Sequence, residues 1–127
     1  MALANPTPLE TTTLAREELP DDLEAGRTNY DVGTSLLFEN DRVRIWELEL
    51  EPGQRLPFHF HRTTYYWVCI EGGECFQRMP DGTRYTWQMN AGDVDWLGPD
   101  RLEEEALHDL ENTGDTTLRF TTVEILD

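Results

Sequence analysis

The sequence predicts an all-β protein, and three observations carry that reading. From about residue 34 onward, short segments rich in β-branched and aromatic side chains alternate apolar and polar positions. Clusters of Gly, Pro, Asn and Asp interrupt them every 8–12 residues or so, the rhythm of a sandwich or barrel rather than of βαβ units. The chain has 127 residues, one domain's worth, with room for a single modest core. A double-sheet jelly roll fits the number of strands.

Residues 1–30 read as a partly helical N-terminal arm and residues 31–127 as the β domain. In the arm, Thr11-Thr12-Thr13 leads into a candidate short helix over 14–19. Residues 20–26 read as a second helical turn, with Pro20 early and Gly26 after its end. The arm is expected to pack on its own domain or on a neighbour. Residues 35–38 open the strands and Asn40-Asp41 turns the chain. Residues 43–50 form the clearest strand, with Trp46, Leu48 and Leu50 on one face and Glu47 and Glu49 on the other. Val43 and Ile45 share the second face, so its first half should be covered on both sides. Pro52-Gly53 precedes a strand over 58–61, and 65–70 follows. Gly72-Gly73 is set as a two-residue hairpin turn into 75–79. Pro80-Asp81-Gly82-Thr83 turns into 84–89, where Tyr85, Trp87 and Met89 lie together. Residues 90–93 turn into 94–97. Residues 98–105 read as a polar acidic loop, with Glu103–Glu105 solvated rather than catalytic. Residues 106–110 and 116–125, joined by a turn, complete the strands.

Composition narrows the function classes. Hydrophobic residues make up 38%, and nine glycines lift the apolar share to about 45%. Ten Lys and Arg against 26 Asp and Glu leave a net charge of −16. Phosphate binding needs clustered cations, so no nucleic-acid partner is expected, and anionic membrane surfaces are disfavoured for the same reason. Four Trp, four Tyr and five Phe argue against a disordered chain. The first ten residues lack Lys and Arg and carry Pro6 and Pro8, unlike a secretory signal, and no segment approaches a membrane span. A cytoplasmic location is therefore expected. Two cysteines are too few for a disulfide scaffold. With a hairpin at Gly72-Gly73, Cys69 and Cys75 would point to opposite faces, so both are expected as free, buried thiols.

The chain has three histidines, His59, His61 and His108. The first two form His59-Phe60-His61 on a predicted strand, which puts both imidazoles on one face about 6.7 Å apart along the strand. Neutral imidazole is a strong ligand for Zn, Fe, Ni and Cu, and a third His from a later strand can complete the set. On spacing alone the pair serves equally as metal ligands or as buried polar groups hydrogen-bonded to neighbours.

These residues resemble the cupin family. Its first motif runs Gly, five residues, His-x-His, three or four residues, Glu, six residues, Gly. This sequence has Gly53, five residues, His59-Phe60-His61, three residues, Tyr65, six residues, Gly72. The second motif runs Gly, five residues, Pro-x-Gly, two residues, His, three residues, Asn; here Gly92 opens it, Gly98-Pro99 stands near the expected Pro, and His108 and Asn112 close it. The resemblance covers residues 43–125. It implies a double-stranded β-helix jelly-roll barrel, with a short N-terminal arm before it, holding a divalent transition metal (Fe, Ni, Mn or Zn) through His59, His61 and His108. There are two departures. Tyr65 stands where the family has Glu, and the segment before His108 is about five residues longer than the pattern. The run Pro57-Phe58-His59 through Trp67-Val68, with His108 to Asn112, is similar to small single-domain cupins assigned to β-alanine degradation.

Replacing Glu by Tyr changes the charge balance. Three neutral imidazoles leave a bound dication its full charge, which favours an anionic or enolate-forming ligand, and they leave coordination positions open. Three-His cupins that oxidise small thiols or cleave diketones with Fe(II) and O₂ are similar in this respect. The expectation is a dioxygenase-like activity on a small organic acid. A non-catalytic small-ligand-binding cupin, or a metal-dependent isomerase or lyase, are the alternatives. Tyr65 is the candidate catalytic residue, as hydrogen-bond donor or phenolate ligand, against a role as plain core. If Tyr65 faces inward, alternation sends Trp67 and Cys69 inward too. Trp96 is expected inward on its own strand, and Gln77 and Met79 on the far wall. Arg55 and Arg62 bracket the His pair and are candidate carboxylate binders, against a reading as surface ion pairs. By resemblance to other single-domain cupins, and because open sheet edges and the arm need cover, a homodimer is expected.

Overall fold

The computed structural model describes residues 7–126. Ten strands, all paired antiparallel, build two five-stranded sheets. The strands are β1 (Glu10–Thr13), β2 (Ser35–Glu39), β3 (Val43–Leu50), β4 (Arg55–Phe60), β5 (Tyr65–Glu71), β6 (Gly73–Arg78), β7 (Thr83–Met89), β8 (Val94–Leu97), β9 (Leu107–Asn112) and β10 (Leu118–Ile125). Two short helices, α1 (Leu23–Gly26) and α2 (Pro99–Glu105), join them. One sheet runs β1-β7-β6-β9-β4 and the other β2-β3-β10-β5-β8. The sheets face each other as the two halves of a double-stranded β-helix, and they remain separate rather than closing into one barrel.

Alternation sorts the side chains. Trp46, Leu48 and Leu50 of β3 are buried, while Glu47 and Glu49 face outward and pair with Arg119 of β10. Leu48, Leu50, Leu56, Leu110, Leu118 and Phe120 form the centre of the core, with Cys69 and Cys75 among them. Both thiols are free, and burial pushes them up to about 11 and about 12, so they stay protonated and apolar.

Three expectations need correction. Gly72-Gly73 is not a hairpin turn: β5 pairs with β10 and β8, and β6 with β7 and β9, so the two glycines carry the chain from one sheet to the other. Gly72 passes so close to the Met89 carbonyl that no Cβ would fit there. The two thiols consequently share one core instead of facing apart. Of the short helix expected over 14–19 only a 3₁₀ turn at Arg16–Glu18 forms, and the threonines before it belong to a strand, β1, paired with β7. Residues 98–105 are not a loop, because Pro99 at the first helical position starts α2.

The arm also closes an edge. The Phe60 amide donates to the Asn29 carbonyl at 2.7 Å, and the Asn29 side-chain amide donates to the Phe58 carbonyl at 3.0 Å. Gly26 of α1 lies against Phe58, where an added Cβ would sit 2.5 Å from the Phe58 Cβ. The edge strand that carries His59 is thereby covered.

Candidate metal centre

The register of β4 against β9 places His59 opposite His108. A bulge between Leu56 and His59 breaks the alternation, so Phe58 and His59 are both buried. Phe58 turns to α1 and His59 to the interior. His61 lies just past the end of β4, where its amide donates to the Ala106 carbonyl at 2.9 Å at the start of β9. The three residues are 3%, 4% and 6% exposed, and one ring nitrogen of each lies within 4.8 Å of the others'.

Hydrogen bonds fix which nitrogen points inward. His59 Nδ1 lies 2.8 Å from the Pro57 carbonyl and His108 Nδ1 lies 2.7 Å from the Glu105 carbonyl. A carbonyl only accepts, so both Nδ1 atoms carry the hydrogen and both Nε2 atoms present lone pairs. His61 Nε2 lies 3.2 Å from His108 Nε2, and His61 Nδ1 is buried without a partner among the described residues. Burial holds all three imidazoles neutral: His59 is lowered to about 3, with His108 adding to the effect, His61 lies well below its ordinary value, and His108 is lowered too.

This donor set fits a divalent transition metal. Two nitrogens each about 2.0–2.1 Å from one ion lie roughly 3.0–3.4 Å apart, and the His61–His108 separation falls within that window. Neutral imidazoles oriented from behind by carbonyls are the form in which histidine binds.

Tyr65 stacks on His61, with ring centroids 3.8 Å apart and planes 7° from parallel. Burial, then the carboxylates of Glu105 and Asp95, push its phenol up, so it presents a protonated hydroxyl. Behind His108, the wholly buried Asp109 accepts from Arg55 Nε at 2.7 Å, Arg78 Nη1 at 2.9 Å and the Arg78 amide at 2.7 Å, tying β9 to β4 and β6.

The histidines and Tyr65 line a cavity of about 110 Å³. One wall is apolar, with Trp67, Trp87, Met89 and Phe120; the mouth carries Asp95, Arg101 and Glu105. Of the residues expected in the pocket, Trp67 is there, stacked on Phe120, and so is Gln77, which accepts from Trp87 Nε1 at 3.1 Å. Met79 is buried but does not line the cavity, and Cys69 lies in the core beside it. Trp96 does not face inward: it is 55% exposed and stacks on Tyr66 outside, while Asp95 and Leu97 take the inward positions of β8. Arg55 is not in the pocket but grips Asp22 and Asp109, and Arg62 lies over the Tyr30 ring. Sequence reading missed Arg101 and Asp95, and it assigned Glu105 to solvent. The usable signal was the parity of Asp95 with Leu97 together with Pro99 as a helix start.

No protein-family model matches the chain, and no curated protein matches it. Solved structures do. A cupin domain protein from Bordetella pertussis Tohama I is 26% identical, with a TM-score of 0.64, covering 73% of this chain and 91% of that one. A conserved protein with a double-stranded β-helix domain from Klebsiella pneumoniae is 20% identical, with a TM-score of 0.57, covering 81% and 85%. A variant of oxalate decarboxylase from Bacillus subtilis is 26% identical, with a TM-score of 0.51, covering 68% of this chain but only 22% of that one.

Proposed function

We propose that this chain, a cupin superfamily member by its likeness to a cupin domain protein, is a metal-dependent enzyme acting on a small organic acid, with dioxygenase-like chemistry. The observation that carries the reading is the convergence of His59, His61 and His108 in one cavity, with two Nδ1 atoms held by carbonyls. A bound divalent metal (Fe, Ni, Mn or Zn) would supply Lewis acidity and, if iron, redox chemistry with O₂. The protein's own parts are simpler. The three imidazoles would hold the ion, and three protein ligands would leave it positions for a ligand. Tyr65 offers a hydroxyl proton to an oxygen atom of the bound acid, and its ring keeps His61 in plane. The apolar wall excludes water from the acid's body.

The test is elemental analysis of protein purified without added metal, followed by an oxygen-uptake screen of small acids. Stoichiometric metal in the wild type, its loss in His59→Ala, and acid-dependent oxygen uptake are expected. Metal-free protein with all three histidines intact would overturn the reading. The likeness to oxalate decarboxylase favours a second reading, a metal-dependent lyase without O₂ chemistry; product formation without oxygen uptake would select it. No helix among the described residues is long and apolar enough to cross a membrane. A cytoplasmic site of action is part of the proposal, supported by two free buried thiols.

A further inference from the structure

Resting on the metal reading above, we infer that the cavity takes a monocarboxylic acid with an uncharged, apolar body and rejects acids that carry a second carboxylate. Two features of the cavity argue this. The first is its wall. Beyond the histidines and Tyr65, the interior is built from Trp67, Trp87, Met89, Leu110 and Phe120, and Gln77 brings a neutral amide whose oxygen already accepts from Trp87. An acid whose head faces the histidines must lay its body on this surface, which rewards apolar groups and offers a second charge only neutral partners, the Gln77 amide nitrogen and the Thr122 hydroxyl. A cavity of about 110 Å³ holds a body of a few carbon atoms beyond the head, on the order of eight water-sized groups in all.

The second feature is the state of the one cation. Among the described residues Arg101 is the only Lys or Arg side chain lining the cavity, and it is the group a second carboxylate would seek. Its five N–H donors are all engaged. Nε and Nη2 donate to Glu105 at 2.8 and 3.1 Å; Nη1 and Nη2 donate to Asp95 at 2.8 and 3.1 Å; Nη1 also donates to the Trp96 carbonyl at 3.1 Å. Two carboxylates thus surround one guanidinium, and the mouth is net negative. A dianionic acid meets repulsion there and finds no free donor, whereas a monoanion needs only the metal side of the cavity.

The experiment uses the full chain, stripped and reloaded with Zn²⁺, with loading verified by elemental analysis. Calorimetric titration then compares 4-methyl-2-oxopentanoate with 2-oxoglutarate, which share a chelating 2-oxo acid head and differ in the body. The branched monoacid should bind at least about tenfold more tightly than the diacid. Equal or tighter binding of 2-oxoglutarate, or no binding of the monoacid to loaded protein, overturns the inference while leaving the metal site standing. Failure to take up Zn²⁺ overturns both. Glu105→Gln supplies the internal control: it removes one mouth charge and loosens the hold on Arg101, so the gap between the monoacid and 2-oxoglutarate should shrink severalfold. An unchanged gap would remove Arg101 from the explanation.

Discussion

The hydroxyl is all that distinguishes Tyr65 from a phenylalanine that would stack equally well on His61, so Tyr65→Phe separates its two roles. The ring contact survives, and the melting temperature should stay within about 2 °C of wild type, as for a substitution that removes no packing. Metal content should be unchanged, while turnover of the best acid falls about 10²-fold, the usual loss when a donor to developing charge is removed. Loss of metal in this variant would instead make the phenol a ligand. Asp109 sits one residue from His108 and holds two guanidinium groups. Asp109→Ala leaves both without their shared partner and should cost about 3–5 kcal/mol in denaturant unfolding; a loss under 1 kcal/mol would show the network to be dispensable. At this scale the sequence was legible where period-2 alternation decides. His59 and His61 share a face because they are two apart, and Trp67 follows Tyr65 inward. Trp96 was misplaced because it shares its parity with Val94, and that face of β8 is the exposed one. Its partner is Tyr66 on the outer face, and the inward charge of Asp95 is satisfied by Arg101, a residue six positions away on an element that sequence did not reveal.

Among elements, the arm shows most clearly how local signals fail. Residues 11–13 are three β-branched threonines, which favour a strand, and β7 supplies the partner that makes them β1. α1 is too short to be stable alone; it is held by tertiary contacts, chiefly the fork of Arg55 on both oxygens of Asp22 at 2.8 Å and the seat of Gly26 on Phe58. Gly26→Ala drives a methyl group into Phe58 and should cost about 1–3 kcal/mol, as overpacking does; measured stability equal to wild type would mean that α1 can lift off freely. The Asp22 contact gives a pH test. Hydrogen bonding to Arg55 lowers the folded-state value of Asp22 below its ordinary 3.8. A lowered carboxylate stabilises the fold above the unfolded value and loses that effect as pH falls through the folded one. Wild type should therefore exceed Asp22→Asn by about 1 kcal/mol at pH 6, and the gap should close as pH falls below about 4. A gap that does not narrow at all as pH falls below 3.8 would assign the contact to shape rather than charge. The Gly72-Gly73 crossing is the same lesson in a strand. Two glycines permit a hairpin turn, but here Gly72 is required by the Met89 backbone, a contact with no local signature.

For the whole molecule, the question left by the two sheets is what covers their edges. Each sheet has two edge strands. β1 is polar and short, β4 is covered by Asn29, and β8 has four residues with α2 beside it. β2 is different. All five of its residues are exposed, and Leu36, Leu37 and Phe38 stand in a row on a strand hydrogen-bonded on one side only. Phe38 also begins an apolar line across the outer face of that sheet, through Ile45, Val123 and Tyr66 to Trp96, each pair in register. A long apolar free edge is what monomeric β proteins avoid. Antiparallel pairing of β2 with its own copy about a two-fold axis would satisfy both edges at once and join two sheets into one. Opposing this is the charge of −16 on each chain, a repulsion that acts over roughly 10 Å at 0.1 M salt and shortens as salt is added. The expected outcome is a homodimer whose dissociation constant falls as sodium chloride is raised, with Phe38→Glu monomeric at every salt concentration and unchanged in circular dichroism. Sedimentation equilibrium decides it. A wild-type chain that stays monomeric at high concentration in high salt would leave the β2 edge to some other partner and would remove the second copy from this account of the fold.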